Sequence, residues 1–138
     1  MTEKSRLVIS SLISELEIVR GFTDNLCINY KIDSSIANKF NLAFEELLSN
    51  IVFYGYDDEA IHEIEILFSY DDTKLSVTIK DDGKAFNPLE LAEPDTSLSI
   101  DDRKIGGLGI HLVRTMMDEV RYQREGEFNI FSFSKNIK

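Results

Sequence analysis

Apolar residues recur at every second position along Ile64, Ile66, Phe68 and Tyr70, and again along Leu75, Val77 and Ile79, with Asp71-Asp72-Thr73-Lys74 between the two runs. A period of two interrupted by a polar turn predicts an antiparallel β-hairpin. One face of such a hairpin is apolar and needs a second layer to cover it. The preceding sequence offers that cover. Leu12, Leu16, Val19, Phe22 and Leu26 recur every three or four residues, the spacing of an amphipathic helix. Asp33-Ser34-Ser35 reads as the N-cap of a second helix, whose stripe runs through Ile36, Phe40, Ala43, Leu47, Ile51 and Tyr54 and which ends at Gly55.

Residues 7–10 form a short strand-like run ahead of the first helix. Beyond the hairpin, residues 82–106 hold both prolines and many acids without sustained periodicity, and a loop of that length in a compact domain tends to be functional. A third helix is predicted from Leu108, with Leu108, Leu112, Thr115 and Met116 as its apolar side. Residues 120–123 and 128–133 then close the chain as a second hairpin around Gly126. The order β-α-α-β-β-loop-α-β-β lacks regular βαβ alternation, so it predicts an α+β fold with helices on one face of one sheet. At 138 residues the chain, 1–138, is expected to be a single domain.

Three local patterns bear on chemistry. Glu46 and Asn50 are four apart in the second helix, so their side chains share a face one turn apart. Asn50 interrupts an otherwise apolar run, where a polar group needs a partner or costs free energy. The same spacing also fits two residues at the edge of the stripe that face water. Asp81 falls on the apolar face with Leu75, Val77 and Ile79, while Asp82 points the other way. A carboxylate there can accept a hydrogen bond from a ligand's amino group; an acid before Gly83 can equally cap the amides of a turn. Gly106-Gly107-Leu108-Gly109 leads into the third helix, and a glycine-rich helix start offers free N–H groups to an anion such as phosphate. It carries no Walker lysine pattern and follows no strand directly.

Taken in order, these patterns resemble the boxes of the GHKL ATPase superfamily (gyrase, heat-shock chaperone, histidine kinase and mismatch-repair ATPases), and within it the small bacterial anti-sigma-factor serine-protein kinases. The N box, Glu-x-x-x-Asn, reads Glu46-Leu47-Leu48-Ser49-Asn50, with Gly55-Tyr56 downstream. The G1 box reads Asp81-Asp82-Gly83-Lys84-Ala85-Phe86-Asn87-Pro88, and the G2 box Gly107-Leu108-Gly109-Ile110-His111-Leu112-Val113. The resemblance implies a Bergerat-type two-layer sandwich with a mixed, mostly antiparallel sheet. It implies ATP and Mg²⁺ as cofactors under a lid at about residues 84–106. Glu46 would be the general base for the attacking hydroxyl, Asn50 a Mg²⁺ ligand, and Asp81 the acceptor for the adenine amino group. Gly83 would make room for the base and Phe86 would be a further nucleotide contact. Gly106, Gly107, Leu108, Gly109 and Ile110 would surround the phosphates.

The activity implied is phosphorylation of a serine or threonine on an anti-anti-sigma antagonist by a kinase that otherwise holds a sigma factor, with a homodimer as the family's habit. Glutamate at the first N-box position sets the chain apart from many histidine-kinase domains, which carry Asn there. The chain departs from the family at Tyr54, where His is frequent, at Ile105, where kinase relatives often carry Arg, and at Asn129, the nearest candidate for a threonine that the last strand often carries near the nucleotide. Those departures motivate an alternative, an ATP-binding anti-sigma module without phosphotransfer. ATP hydrolysis driving a conformational cycle is a third reading.

The net charge of −10 leaves no basic face for displacing counterions from phosphates, so no direct nucleic-acid partner is expected. No apolar run approaches the ~18–20 residues of a membrane span. Residues 1–7 lack the apolar stretch of a secretion signal. The single cysteine, Cys27, lies among apolar neighbours and is expected to be a small core residue in a reducing, cytoplasmic setting.

Overall fold

The computed structural model describes residues 2–90 and 107–137. Along them run β1 (Glu3–Ser10), a 3₁₀ turn (Ile13–Glu15), α1 (Leu16–Asn29), α2 (Ser34–Tyr54), β2 (Glu63–Asp71), β3 (Lys74–Asp81), a second 3₁₀ turn (Pro88–Glu90), α3 (Gly107–Met116), β4 (Glu119–Glu125) and β5 (Phe128–Asn136). The order is the expected one. Residues 91–106 of the expected lid, with Ile105 and Gly106, lie outside the described residues.

The strands make one sheet in the order β1-β2-β3-β5-β4. All four pairings are antiparallel, so the two-layer α+β architecture is as expected while the sheet is not mixed. The hairpin β2–β3 turns through Asp72 and Thr73, where the Asp71 carboxylate accepts from the Thr73 amide at 2.8 Å and its hydroxyl at 2.7 Å. This pins a register that sets Ile66 beside Ile79 and Phe68 beside Val77, so both apolar sets share one face. The closing hairpin turns at Gly126, whose φ of +61° is a backbone conformation that glycine adopts without strain.

The core lies between that face and the helices. Phe22 of α1 and Phe44 of α2 pack on Phe68, with ring centroids 4.9 and 5.7 Å away, and Phe40 and Phe44 pack on Phe133 at 5.7 and 5.6 Å. Phe40, Leu48, Ile64, Ile66 and Leu75 are fully buried. Each such side chain contributes roughly 1.5–3 kcal/mol relative to exposure. The α2 N-cap is Asp33, whose carboxylate accepts from the Ser35 amide at 2.8 Å. Cys27 is buried as expected, and burial together with nearby Asp24 pushes its thiol up to about 11.

Three expectations are corrected. β1 begins at Glu3 rather than residue 7, because the ladder with β2 continues to Glu3 opposite Tyr70 through an edge strand whose polar residues carry no clear alternation. α1 begins at Leu16, and Leu12 is exposed ahead of the 3₁₀ turn. The fully buried side chains of α3 are Ile110 and Val113, with Met117 just past its end; of the expected side, Leu112 is 49% exposed, Thr115 is exposed and Met116 packs partly buried against the core. Both sets have helical spacing, and the choice between them is made by packing against α2. Among the described residues no helix is long and apolar enough to cross a membrane.

Candidate functional site

A cavity of about 370 Å³ opens where the C-terminal end of β3 meets the end of α2. Its walls include Leu47, Ile51, Ile79 and Phe131, with Phe86 and Tyr122 as aromatic surface and Asn50, Asp81 and Asn129 as polar groups. A mostly apolar pocket of this size with a few convergent polar groups suits a small planar ligand.

Strand parity determines the key carboxylate. Asp81 continues the buried face of Leu75, Val77 and Ile79 and is 5% exposed, while Asp82 faces outward. The Asp81 Oδ1 accepts from the Gly83 amide at 2.9 Å and from Asn129 Nδ2 at 3.1 Å. Burial raises the Asp81 pKa above the ordinary carboxylate value, against the pull of those two hydrogen bonds. The turn after it is closely fitted. The Lys84 amide donates to the Gly55 carbonyl at 2.8 Å, Arg124 Nη1 donates to the Gly83 carbonyl at 2.9 Å, and a Cβ on Gly83 would come within 2.6 Å of the Gly55 oxygen. Gly83 therefore permits the end of α2 and the G1 turn to touch. Tyr56, next to Gly55, buries a hydroxyl with no partner among the described residues; burial, then the Asp81 charge, holds its phenol well above the usual range.

On α2, Asn50 lines the cavity and buries its Nδ2 with no partner among the described residues. Glu46, one turn earlier, is half-buried. Its carboxylate occupies the space beside Gly109, where an added Cβ would overlap Glu46 Oε2 and Cδ and lie 2.7 Å from Cγ. The structure thus joins two expected site residues that are 63 positions apart. It also divides the expected set. Asn50, Asp81 and Phe86 share the cavity, and Gly83 backs it. Glu46 and Gly109 meet beside it. The Ile110 side chain is buried in the core, leaving only its main chain to meet a ligand. Gly107 and Leu108 open the backbone of α3, and Gly106 lies outside the described residues.

Tyr122 is a cavity residue that the motifs did not supply; Asn129, which the resemblance set near the nucleotide in place of a threonine but not among the expected site residues, also lines the cavity. A signal existed: Asn129, Phe131 and Phe133 alternate on β5, so Asn129 is a polar break in an apolar face, as Asp81 is on β3.

The residues fit a nucleotide with its cation. The Asp81 carboxylate can accept from a base amino group. The orphaned Asn50 amide can donate to a phosphate oxygen or, turned over, offer its oxygen to a metal ion. A Mg²⁺ ion held largely by phosphates and water needs only one or two protein oxygens. The start of α3 presents amides to an anion.

Residues 9–135 match the family described as a histidine kinase-like ATPase domain. The chain is 33% identical over 86 residues to the serine-protein kinase RsbW of Bacillus subtilis (strain 168), covering 59% of this chain and 54% of that protein. It is 31% identical over 88 residues to the serine/threonine-protein kinase BtrW of Bordetella bronchiseptica, covering 64% and 62%. The matches thus span about half the length of the first of these relatives and somewhat more of the second. Among solved structures, the RsbU and RsbW domains of a Mycobacterium tuberculosis protein superpose with a TM-score of 0.70 at 13% identity, over 96% of this chain and 32% of that one. The histidine kinase AdeS of Acinetobacter baumannii superposes at 0.55, also with 13% identity, over 97% and 68%. At those identities the structures show a shared fold.

Proposed function

The chain belongs to the histidine kinase-like ATPase domain family, and on that footing we propose that it binds ATP·Mg²⁺ and acts as a protein serine/threonine kinase of the anti-sigma type. The observation that carries the step from binding to transfer is the contact of Glu46 with Gly109. It sets a carboxylate beside a helix start suited to phosphates, where a base for an attacking hydroxyl is needed.

In this reading Asp81 accepts from the adenine amino group, and Ile51, Ile79 and Phe131 cover the base together with Phe86. Gly83 keeps the G1 turn tight against α2. Asn50 holds Mg²⁺ or a phosphate oxygen. Main-chain amides of Gly106, Gly107, Leu108, Gly109 and Ile110 hold the phosphates, and residues 84–106 form the lid of a single domain, 1–138. ATP·Mg²⁺ supplies the phosphoryl group. Glu46 takes the proton of the accepting hydroxyl, a contribution of ~10²–10⁴-fold.

The relatives' names support a serine or threonine acceptor. We take the partners to be a sigma factor and an anti-anti-sigma antagonist, met by a homodimer in the cytoplasm. Phosphate on the antagonist adds about −1.5 to −2 charges. Against a chain of net charge −10 this weakens the antagonist complex.

The test mixes the protein, ATP, Mg²⁺ and the antagonist encoded beside it, and follows phosphate on the antagonist. Incorporation on serine or threonine is expected. ATP binding without incorporation would overturn the kinase and leave the binding module, the reading favoured by Asn129 in place of threonine.

A further inference from the structure

We propose that Asn129, locked by Tyr122, is the positioning residue that aims Asp81 at the amino group of the nucleotide base. The inference rests on the adenine-binding reading above and assigns to the β5 side of the cavity a role in that recognition.

Asn129 stands directly opposite Asp81 in the β3–β5 register and is 7% exposed. Its amide is bonded at both ends. Nδ2 donates to Asp81 Oδ1 at 3.1 Å and to the Lys84 carbonyl at 2.8 Å. Oδ1 accepts from the Tyr122 hydroxyl at 2.5 Å and from the Phe86 amide at 3.2 Å. A primary amide has two donor hydrogens and two acceptor lone pairs, so this set uses its whole capacity. Turning the amide over would bring its oxygen against the Asp81 carboxylate and the Lys84 carbonyl, both acceptors. The orientation is therefore unique, and Tyr122, a hydroxyl from the neighbouring edge strand, helps to enforce it.

The consequence falls on Asp81. With Oδ1 engaged by Asn129 and the Gly83 amide, Oδ2 is the oxygen left without a partner among the described residues, on a side chain that lines the cavity. The carboxylate cannot rotate without giving up two hydrogen bonds. Asn129 also fixes Lys84 and Phe86, so the same side chain sets the carboxylate and the wall of the cavity that follows it in sequence.

A positioning role and a merely structural one differ in what they do to base discrimination. The measurement is the dissociation constant for ATP and for purine riboside triphosphate, which lacks the amino group, in the native protein, Asn129→Ala and Tyr122→Phe. The native protein is expected to prefer ATP by roughly 10- to 150-fold, the worth of a hydrogen bond to a charged group. Asn129→Ala should reduce that preference to a few-fold, chiefly by weakening ATP. Tyr122→Phe keeps the ring and the fold and should reduce it less, in the same direction. A preference kept in full by Tyr122→Phe and by Asn129→Ala, or both nucleotides weakened equally, overturns the positioning role alone. No preference in the native protein overturns the adenine reading and this inference with it.

Discussion

At the sheet end of the cavity, Asp81 is bonded to Gly83 and Asn129, and Asn129 is bonded in turn to Tyr122, Phe86 and Lys84. On the helical side, Asn50 buries an amide nitrogen with no partner among the described residues, and Glu46 is half-buried against a glycine. The first region is held by the protein's own hydrogen bonds before any ligand arrives. The second holds a buried donor that no described protein group satisfies and that a ligand oxygen can. Under the proposed function, recognition falls to the preorganised end, and the groups proposed to act on phosphate fall to the end that a ligand would complete.

The largest expected effect separates the two ends outright. Glu46→Gln keeps the shape of the side chain and removes the base, so phosphotransfer should fall ~10²–10⁴-fold. ATP affinity should stay within a few-fold of native, because no part of Glu46 lines the cavity. An equal fall in both quantities would make Glu46 a binding residue and dissolve the contrast.

Asp81→Ala is the reciprocal change. Loss of a charge-assisted hydrogen bond should weaken ATP roughly 10- to 150-fold, while transfer at saturating ATP is largely retained. Adenine nucleotides binding the variant as tightly as the native protein would put recognition elsewhere. Because burial already raises the Asp81 pKa, ATP affinity in the native protein should also begin to fall on acidification at a higher pH than an ordinary carboxylate would set. The sign follows from the acceptor role, since a protonated carboxyl presents no anionic oxygen to the amino group.

How legible each region was follows from the same contrast. Parity along β3 placed Asp81 inward from seven residues of sequence, and helical spacing put Glu46 and Asn50 on one face, because both signals are local. Of the groups that make Asp81 rigid, the Gly83 amide is local, while Asn129 and Tyr122 come from β5 and β4, across residues 91–106, and only pairing of strands brings them to it. Local period on β5 marks Asn129 as an inward polar residue, but it does not say which strand that residue faces. The buried side of α3 was misjudged at Leu112 and Thr115 for the same reason: they fit a helical stripe as well as Ile110 and Val113 do, and contact with α2 decides.

Two glycines extend the comparison to stability. A Cβ at Gly83 would meet the Gly55 carbonyl at 2.6 Å, main chain that cannot turn aside, so Gly83→Ala should cost about 1–3 kcal/mol, as overpacking does. At Gly109 the nearest atoms all belong to the Glu46 side chain, which can rotate away. Alanine is also the better helix former by roughly 1 kcal/mol, so Gly109→Ala should leave stability nearly unchanged and lower phosphotransfer by displacing Glu46. Denaturant midpoints and transfer rates measured on both variants check this. A strongly destabilised Gly109→Ala with a native transfer rate would show that the Glu46 contact serves packing.

The smallest effect concerns the outer rim of the sheet end. His62 stacks on Tyr56 with ring centroids 4.0 Å apart, its Nε2 lies 2.8 Å from Asp58 and its Nδ1 3.2 Å from Asp82. The hydrogen bond to Asp58, reinforced by Asp82 and the two negative charges, raises the imidazole pKa above 6.5 against partial burial. A group whose folded value exceeds its unfolded one binds more protons in the folded state, so stability falls as pH rises through that window. The contribution of His62 is whole below 6.5 and lost as pH passes the folded value. The partners are solvent-exposed, which keeps the effect small. Thermal unfolding across that range should show a decline in the native protein that His62→Gln lacks. If ATP affinity is set by the inward Asp81 and not by Asp82, as proposed, it should stay level through the same window. A parallel fall in affinity would mean that the rim holds the carboxylate in place, and that its rigidity extends beyond Asn129 and Gly83.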